Sequence, residues 1–197
     1  DNRNLLAYLA NKEAALNPLG TLSQKDWDEL ITLMNELDAP KDKRLQPYIL
    51  EYYRTISDEK LAANVTSKED LLSTLYYDFG THSQNKFVAD WFEFNLNINN
   101  LLTALACRKH GFDIKQAIVG NNEVAKTIRT SNTHDFNLSG IFEPVEAIIA
   151  ISENPNLLER EKAIDNLKWN WLEEHTFFNY FTIERVLAFY LRCELLH

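Results

Sequence analysis

Apolar residues recur along this chain at intervals of three and four, the spacing that lines one face of an α-helix. The pattern is clearest over residues 86–111. There Phe87, Trp91, Phe94, Ile98, Leu101, Leu102 and Leu105 fall on one stripe when each residue advances by about 100°. Glu93, Asn97, Asn100 and Ala104 fall well away from that stripe, which predicts a packing spine with a polar side. Arg108, Lys109 and His110 place positive or ionisable groups in the last turn, where carbonyls lack partners, and Gly111 suits a left-handed cap. At ~1.5 Å per residue such a helix reaches about 39 Å, the width of a small domain.

Shorter helices are predicted on either side. One covers residues 3–16 and stops at Asn17-Pro18-Leu19-Gly20, and a second runs to about Leu37 behind a capping box of Ser23 and Asp26. Pro40 and Pro47 frame the next connection, followed by a helix over residues 48–56. Thr66 with Glu69 forms a capping box for a helix ending near Phe79-Gly80. Beyond the spine, helices are predicted over residues 114–119, 123–129, 142–152 and 157–174, with a break at Asn154-Pro155. Residues 130–137 form a polar loop whose side chains suit bonding to their own backbone. Residues 177–196 are apolar over more than half of a helical circumference. Glu184, Arg185, Arg192 and Glu194 would make spanning a membrane costly, so a helix buried between other helices is expected. The fold class is all-α, a multi-helix array around the long helix at about 86–110. It reads as one helical unit over residues 1–197, or as two lobes meeting near residues 80–86.

Composition agrees with long helices. The 197 residues are 45% hydrophobic and 12% aromatic, enough for a sizeable core, and only five glycines and five prolines interrupt them. The formal charge of -9 disfavours binding to nucleic acid or to anionic lipid, and no basic run offsets it. The most basic stretch, Lys41-Asp42-Lys43-Arg44, reads as a solvated loop. Cys107 and Cys193 lie far apart without a disulfide framework, which fits a reducing cytosol. With no signal peptide visible, Asn64-Val65-Thr66 and Asn137-Leu138-Ser139 read as accidental sequons. A start at Asp1 and an end directly after Leu195-Leu196 set the expectation of a piece of a longer chain.

The search for chemistry is mostly negative. The five histidines form neither HExxH nor a ferritin-like Glu-x-x-His pair, so no metal and no cofactor are expected. Cys107 near His110 is read as a core thiol, and His134-Asp135 as loop residues. Val119-Gly120-Asn121-Asn122-Glu123 lacks the Lys-Ser/Thr of a phosphate loop and reads as a helix-capping turn. Trp169, Trp171, Phe177, Phe178, Tyr180 and Phe181 are read as core packing. Glu93 suits a paired carboxylate. Asn95, Asn97, Asn99 and Asn100 are unusual because asparagine is a poor helix former. Either they are solvated, or they form a hydrogen-bonding surface facing another helix or subunit.

The run Asn97-Ile98-Asn99-Asn100-Leu101-Leu102-Thr103-Ala104-Leu105-Ala106-Cys107-Arg108-Lys109 resembles a D-x-x-N-[IL]-x-x-L-L-R-A-[KR] helix of V/A-type rotary ATPases. That helix belongs to the central-stalk subunit that joins the membrane ring to the rotor. Asn97 stands where that family has Asp, Asn100 matches its Asn, and Ala106 replaces its Arg. The run from Phe177 through Glu184 to Arg192 is similar to that family's closing helix, in which an aromatic stretch precedes a Glu and a later basic residue. A closer resemblance, carried by NKFVADWFEFNLNINN, RTSNTHDFNLSG and LEREKAIDNLKWNWLEEHTFFNYFT, is to a bacterial family of unknown function encoded beside V/A-type ATPase subunits.

These resemblances imply a non-catalytic, all-helical subunit or accessory protein, cytoplasmic and peripheral to the membrane through a complex. Its implied partners are the membrane ring and central stalk of the ATPase. Arg129, Asn132 and Asp135 in the polar loop are the first candidate contact residues, with Asn97 and Asn100 second. Two alternatives stand beside this expectation. One is a small helical enzyme with a polar pocket around Glu93, His134 and Asp135, and the other is a helical adaptor for an unrelated partner.

Overall fold

A computed structural model describes residues 1–11, 14–35 and 42–196. All regular structure among them is α-helical, in eleven helices. They fall into two compact units, Asp1–Phe79 and Gly80–His197.

The first unit contains α1 (Asn2–Ala10), α2 (Gln24–Asn35), α3 (Pro47–Ser57), the single turn α4 (Glu59–Ala62) and most of α5 (Lys68–Thr81). Its core joins Leu5 and Tyr8 of α1, Trp27, Leu30, Ile31 and Met34 of α2, Tyr48, Ile49 and Tyr52 of α3, and Leu72 of α5. Helix α1 is shorter than expected: its C-cap Asn11 is extended and residues 14–17 are non-helical. The side chain of Asn4 holds that segment, donating to the carbonyl of Asn17 at 3.1 Å and accepting from its N–H at 2.7 Å. The capping box of α2 forms, with Ser23 N–H donating to Asp26 at 2.8 Å and Asp26 N–H to Ser23 Oγ at 3.3 Å. The expected end near Leu37 lies outside the described residues. On α5 the cap is Ser67, which accepts from Asp70 N–H at 3.1 Å, so the box expected at Thr66 and Glu69 is displaced by one residue.

The second unit is built on α6 (Lys86–His110), which has the expected bounds. Asn85 caps its start by accepting from Val88 N–H, and Gly111 ends it at φ 74°, a conformation that costs a glycine little. Around α6 lie α7 (Ile114–Ala117), α8 (Glu123–Thr130), α9 (Val145–Glu153), α10 (Leu157–Thr176) and α11 (Ile183–Leu195). Phe94, Ile98, Leu101 and Ala104 of α6 pack with Val124 and Ile128 of α8, Ile148 and Ile149 of α9, and Ile164 of α10. Phe136 and Leu138 are inserted from the loop before α9. Each fully buried Ile or Leu contributes about 1.5–3 kcal/mol, whereas each asparagine costs the helix up to about 0.7 kcal/mol, so packing outweighs propensity along α6. Helix α9 begins three residues later than expected. Pro144 lacks the amide that would extend it, and Phe142 is buried in the preceding turn.

Trp171 joins α6 to α10, stacking on Phe94 at 5.1 Å and on His175 at 3.8 Å between ring centroids. The expectation for residues 177–196 fails. Only Ala188 of α11 is buried, while Phe177, Phe178, Tyr180, Phe181, Ile183, Val186, Phe189 and Tyr190 are exposed. Among the described residues no helix is long and apolar enough to cross a membrane.

One ionic cluster in the first unit gives a pH prediction. Arg44 donates to Asp42 and Asp26, each at 2.7 Å, and to Glu29 at 3.3 Å. Hydrogen bonds from the Arg44 side chain, then from its backbone, lower the Asp42 carboxyl to about 2 from its ordinary 3.8. A carboxyl lowered by folding stabilises the protein above the ordinary value, and this contribution is lost as pH falls from 3.8 through 2. Asp42→Asn is expected to lower stability at neutral pH and flatten its decline over that window, measured by urea unfolding at a series of pH values. An unchanged pH profile would contradict the assignment.

Candidate functional site

The asparagines of α6 act inside the second unit. Asn100 is 3% exposed and grips Val119 twice, donating from Nδ2 to its carbonyl at 2.7 Å and accepting at Oδ1 from its N–H at 3.0 Å. Val119 lies between α7 and α8 and has no helical ladder to satisfy its backbone, so the asparagine amide takes that place. Gly120 follows at φ 77°, and a Cβ there would lie 3.0 Å from Leu96 Cδ2. Asn97, 6% exposed, accepts from Asn122 Nδ2 at 2.7 Å. Asn122 also donates to Glu93 at 3.0 Å and accepts from Ala125 N–H at 3.0 Å, capping α8. The solvated reading of Asn97 and Asn100 is therefore corrected: both are buried and bonded to the segment that opens α8. Ala104, placed on the polar side by the sequence, is also fully buried.

Arg129 folds back onto the same turn, donating to the carbonyls of Ile118 and Gly120, each at 2.7 Å. The polar loop is a self-bonded knot. Thr133 Oγ1 donates to Asp135 at 2.9 Å and accepts from Asn137 N–H at 2.9 Å, while Ser139 donates to Asp135 at 2.7 Å. Bonds from Ser139, Thr133 and the Asn137 backbone hold the Asp135 carboxyl well below its usual range. Phe136 and Asn137 have φ of 54° and 57°, unusual away from glycine, and this turn drives Phe136 into the core. Arg108 closes the knot. Its guanidinium donates to the carbonyls of Thr133 and His134 at 2.7 and 2.9 Å and lies 3.8 Å from the Phe136 ring centroid. Asn132 is exposed.

The structure thus joins Asn97 with Glu93 through Asn122, and joins Asn100 with Arg129 through the Ile118–Val119–Gly120 backbone. Asp135 and His134 belong to the separate Arg108 knot. His134 lines a groove at the C-terminal end of α6, whose lining includes neither Glu93 nor Asp135. Cys107 is buried, and burial raises its thiol above the ordinary value, as suits a core residue. Among the described residues no group of three or more His, Cys, Asp or Glu is placed to hold a metal.

The largest feature missed by the sequence reading is the outer surface of α11. Its inner face packs through Ala188, Leu187, Leu191 and Leu195 against Phe87 and Leu172. Three polar groups add to that attachment: Asn85 donates to Glu184 at 2.9 Å, Arg185 to Thr176 Oγ1 at 3.0 Å, and Arg192 to Glu173 at 3.1 Å. Arg192 also lies 5.2 Å from the Trp169 ring centroid. Ile183, Val186, Phe189 and Tyr190 are left outside, and Phe178 in the turn before them is 82% exposed. Core packing is therefore corrected for Phe177, Phe178, Tyr180 and Phe181 but holds for Trp171. Glu184, Arg185 and Arg192, set within an apolar segment, were the available signal, since each was already free to attach α11 by its polar side.

Removing the Asn100 amide should expose its structural role. Asn100→Ala leaves the half-buried N–H and carbonyl of Val119 without their partner and is expected to cost about 1–3 kcal/mol, while Asn132→Ala should change stability by less than about 0.5 kcal/mol. Urea denaturation of the two variants measures both, and equal stabilities would contradict the assignment.

No curated protein and no solved structure matches this chain. A family model does, over residues 1–197, and its description is "Protein of unknown function (DUF2764)". The chain, with its α6 asparagine fastenings and outward apolar α11, belongs to the DUF2764 family.

Proposed function

We propose that this chain is a non-catalytic subunit or accessory protein of a V/A-type rotary ATPase, held at the cytoplasmic side of the membrane through protein contacts. The observation that carries the reading is the second apolar face of α11. Ala188, Leu187, Leu191 and Leu195 already pack it against Phe87 and Leu172, yet Phe189, Tyr190, Val186 and Ile183 are exposed, as are Phe177, Phe178, Tyr180 and Phe181 before it. Large apolar side chains concentrated in this way mark protein–protein contact surfaces, and aromatic residues dominate the binding energy of such surfaces. Phe181 is fully exposed at φ 59°, a conformation that costs a non-glycine residue about 1–3 kcal/mol. A strained aromatic held in water gains most from a partner that covers it.

The identity of the occupant rests on the resemblance. Residues 177–192 are similar to the closing helix of the ATPase central-stalk subunit, and residues 97–109 to its asparagine-bearing helix. The occupant is therefore taken as an apolar helical face of the central stalk or membrane ring. The buried asparagines leave Asn97, Asn100 and Arg129 to internal work, so contact passes to α11 and the turn before it. The long α6 supplies the stiffness that such a coupling part needs.

Affinity purification of the full-length protein from native membranes is expected to recover ATPase subunits. Phe178→Asp combined with Phe189→Asp should reduce that recovery at least about tenfold, the effect of losing one binding hot spot, without lowering the thermal midpoint. Repeated recovery without ATPase subunits, under conditions that keep the ATPase intact, would overturn the proposal, as would recovery of a different complex through the same face.

A further inference from the structure

The chain carries a formal charge of -9, yet positive groups converge on one groove of the second unit. Arg108, Lys109 and His110 come from the last turn of α6, His134 from the polar knot and Arg160 from the first turns of α10. Glu153 at the end of α9 is the one carboxylate in the lining. None of the ion pairs among the described residues involves Arg108, Lys109 or Arg160. The Nε of Arg160 is buried without a hydrogen-bond partner among the described residues. That atom is closed to solvent, so an anion in the groove would meet the rest of the Arg160 guanidinium, a planar fork of N–H donors suited to phosphate oxygens.

The groove is also built. Its volume is about 490 Å³, within the roughly 300–1,000 Å³ typical of small-molecule sites. Leu102, Leu105 and Ile149 give it an apolar floor. Arg108 is already fixed by two carbonyls and the Phe136 ring, so its position needs no further ordering when a ligand arrives.

We infer that this groove binds a small phosphate ester, its phosphoryl oxygens on Arg160 and Lys109 and its organic body on the apolar floor. Three permanent cations facing one carboxylate leave an excess of two positive charges, more than a monocarboxylate would neutralise. A phosphoryl dianion spreads its charge over several acceptor oxygens and matches that excess. The phosphate could belong to a soluble molecule or to a lipid headgroup, and both present the same chemistry to these residues.

Calorimetric titration of the full chain with phenyl phosphate tests the inference, with inorganic phosphate and benzoate alongside. Phenyl phosphate is expected to bind more tightly than either. Arg160→Gln should weaken it by about tenfold or more, as expected for a lost charge-assisted hydrogen bond, and Lys109→Gln by a smaller factor. Lys109 is exposed, so its variant keeps the test valid should Arg160→Gln fail to fold. Cosedimentation with vesicles containing phosphatidic acid, lost in the same variants, would assign the phosphate to a lipid, and phenyl phosphate binding alone would assign it to a soluble ester. Absence of binding to any of these probes, benzoate binding as tightly as phenyl phosphate, or binding unchanged in the folded variants would overturn it.

Discussion

The backbone of Val119 lies outside any helix, against the buried side of α6, and both its donor and its acceptor are satisfied by the amide of Asn100. An asparagine side chain has the same donor and acceptor as a peptide group, so it can act as one rung of a ladder where no second strand exists. The passage from α7 into α8 depends on this fastening. It sets the turn at Gly120, the turn places Asn122 to cap α8, and Arg129 returns from the end of α8 to bind the carbonyls of Ile118 and Gly120. Asn97 holds Asn122 from the same face of α6. The first unit uses the same device, with Asn4 of α1 gripping both backbone groups of Asn17. In both units the helix gives up a little propensity and fixes an irregular connection against its core.

This internal use of polar residues occupies most of the candidate contact groups. The candidate residues Asn97, Asn100 and Arg129 are committed to the fold, and Asp135 is saturated by Thr133, Ser139 and Asn137. Helix α11 divides its apolar residues between two faces. Ala188, Leu187, Leu191 and Leu195 pack against Phe87 and Leu172, with Glu184, Arg185 and Arg192 adding polar attachments, while Ile183, Val186, Phe189 and Tyr190 are exposed.

Periodicity made α6 legible almost to the residue, because its stripe is long and its end carries strong signals in Arg108, Lys109, His110 and Gly111. Capping chemistry made α2 legible for the same reason. The misplaced starts of α5 and α9 come from competition between adjacent residues: Ser67 takes the cap expected at Thr66, and Pro144 delays a helix whose apolar pattern begins at Phe142. Burial was the harder inference. Hydrophobicity states which side chains would gain from cover, but Phe178, Phe181 and Phe189 receive little of it among the described residues. The asparagines posed the opposite problem, since polarity suggested water while the unsatisfied backbone of Val119 required a buried partner. No periodic signal marks such a pairing, because its two halves lie nineteen residues apart on a helix and a loop.

Amide hydrogen exchange of the full chain, read at Val119, tests whether the buried asparagines of α6 hold the connection between α7 and α8. Protection of the Val119 amide is expected to be comparable to that of Leu101 in the middle of α6, although Val119 belongs to no helix. Exchange of Val119 at the rate of an open loop, with Leu101 still protected, would contradict it.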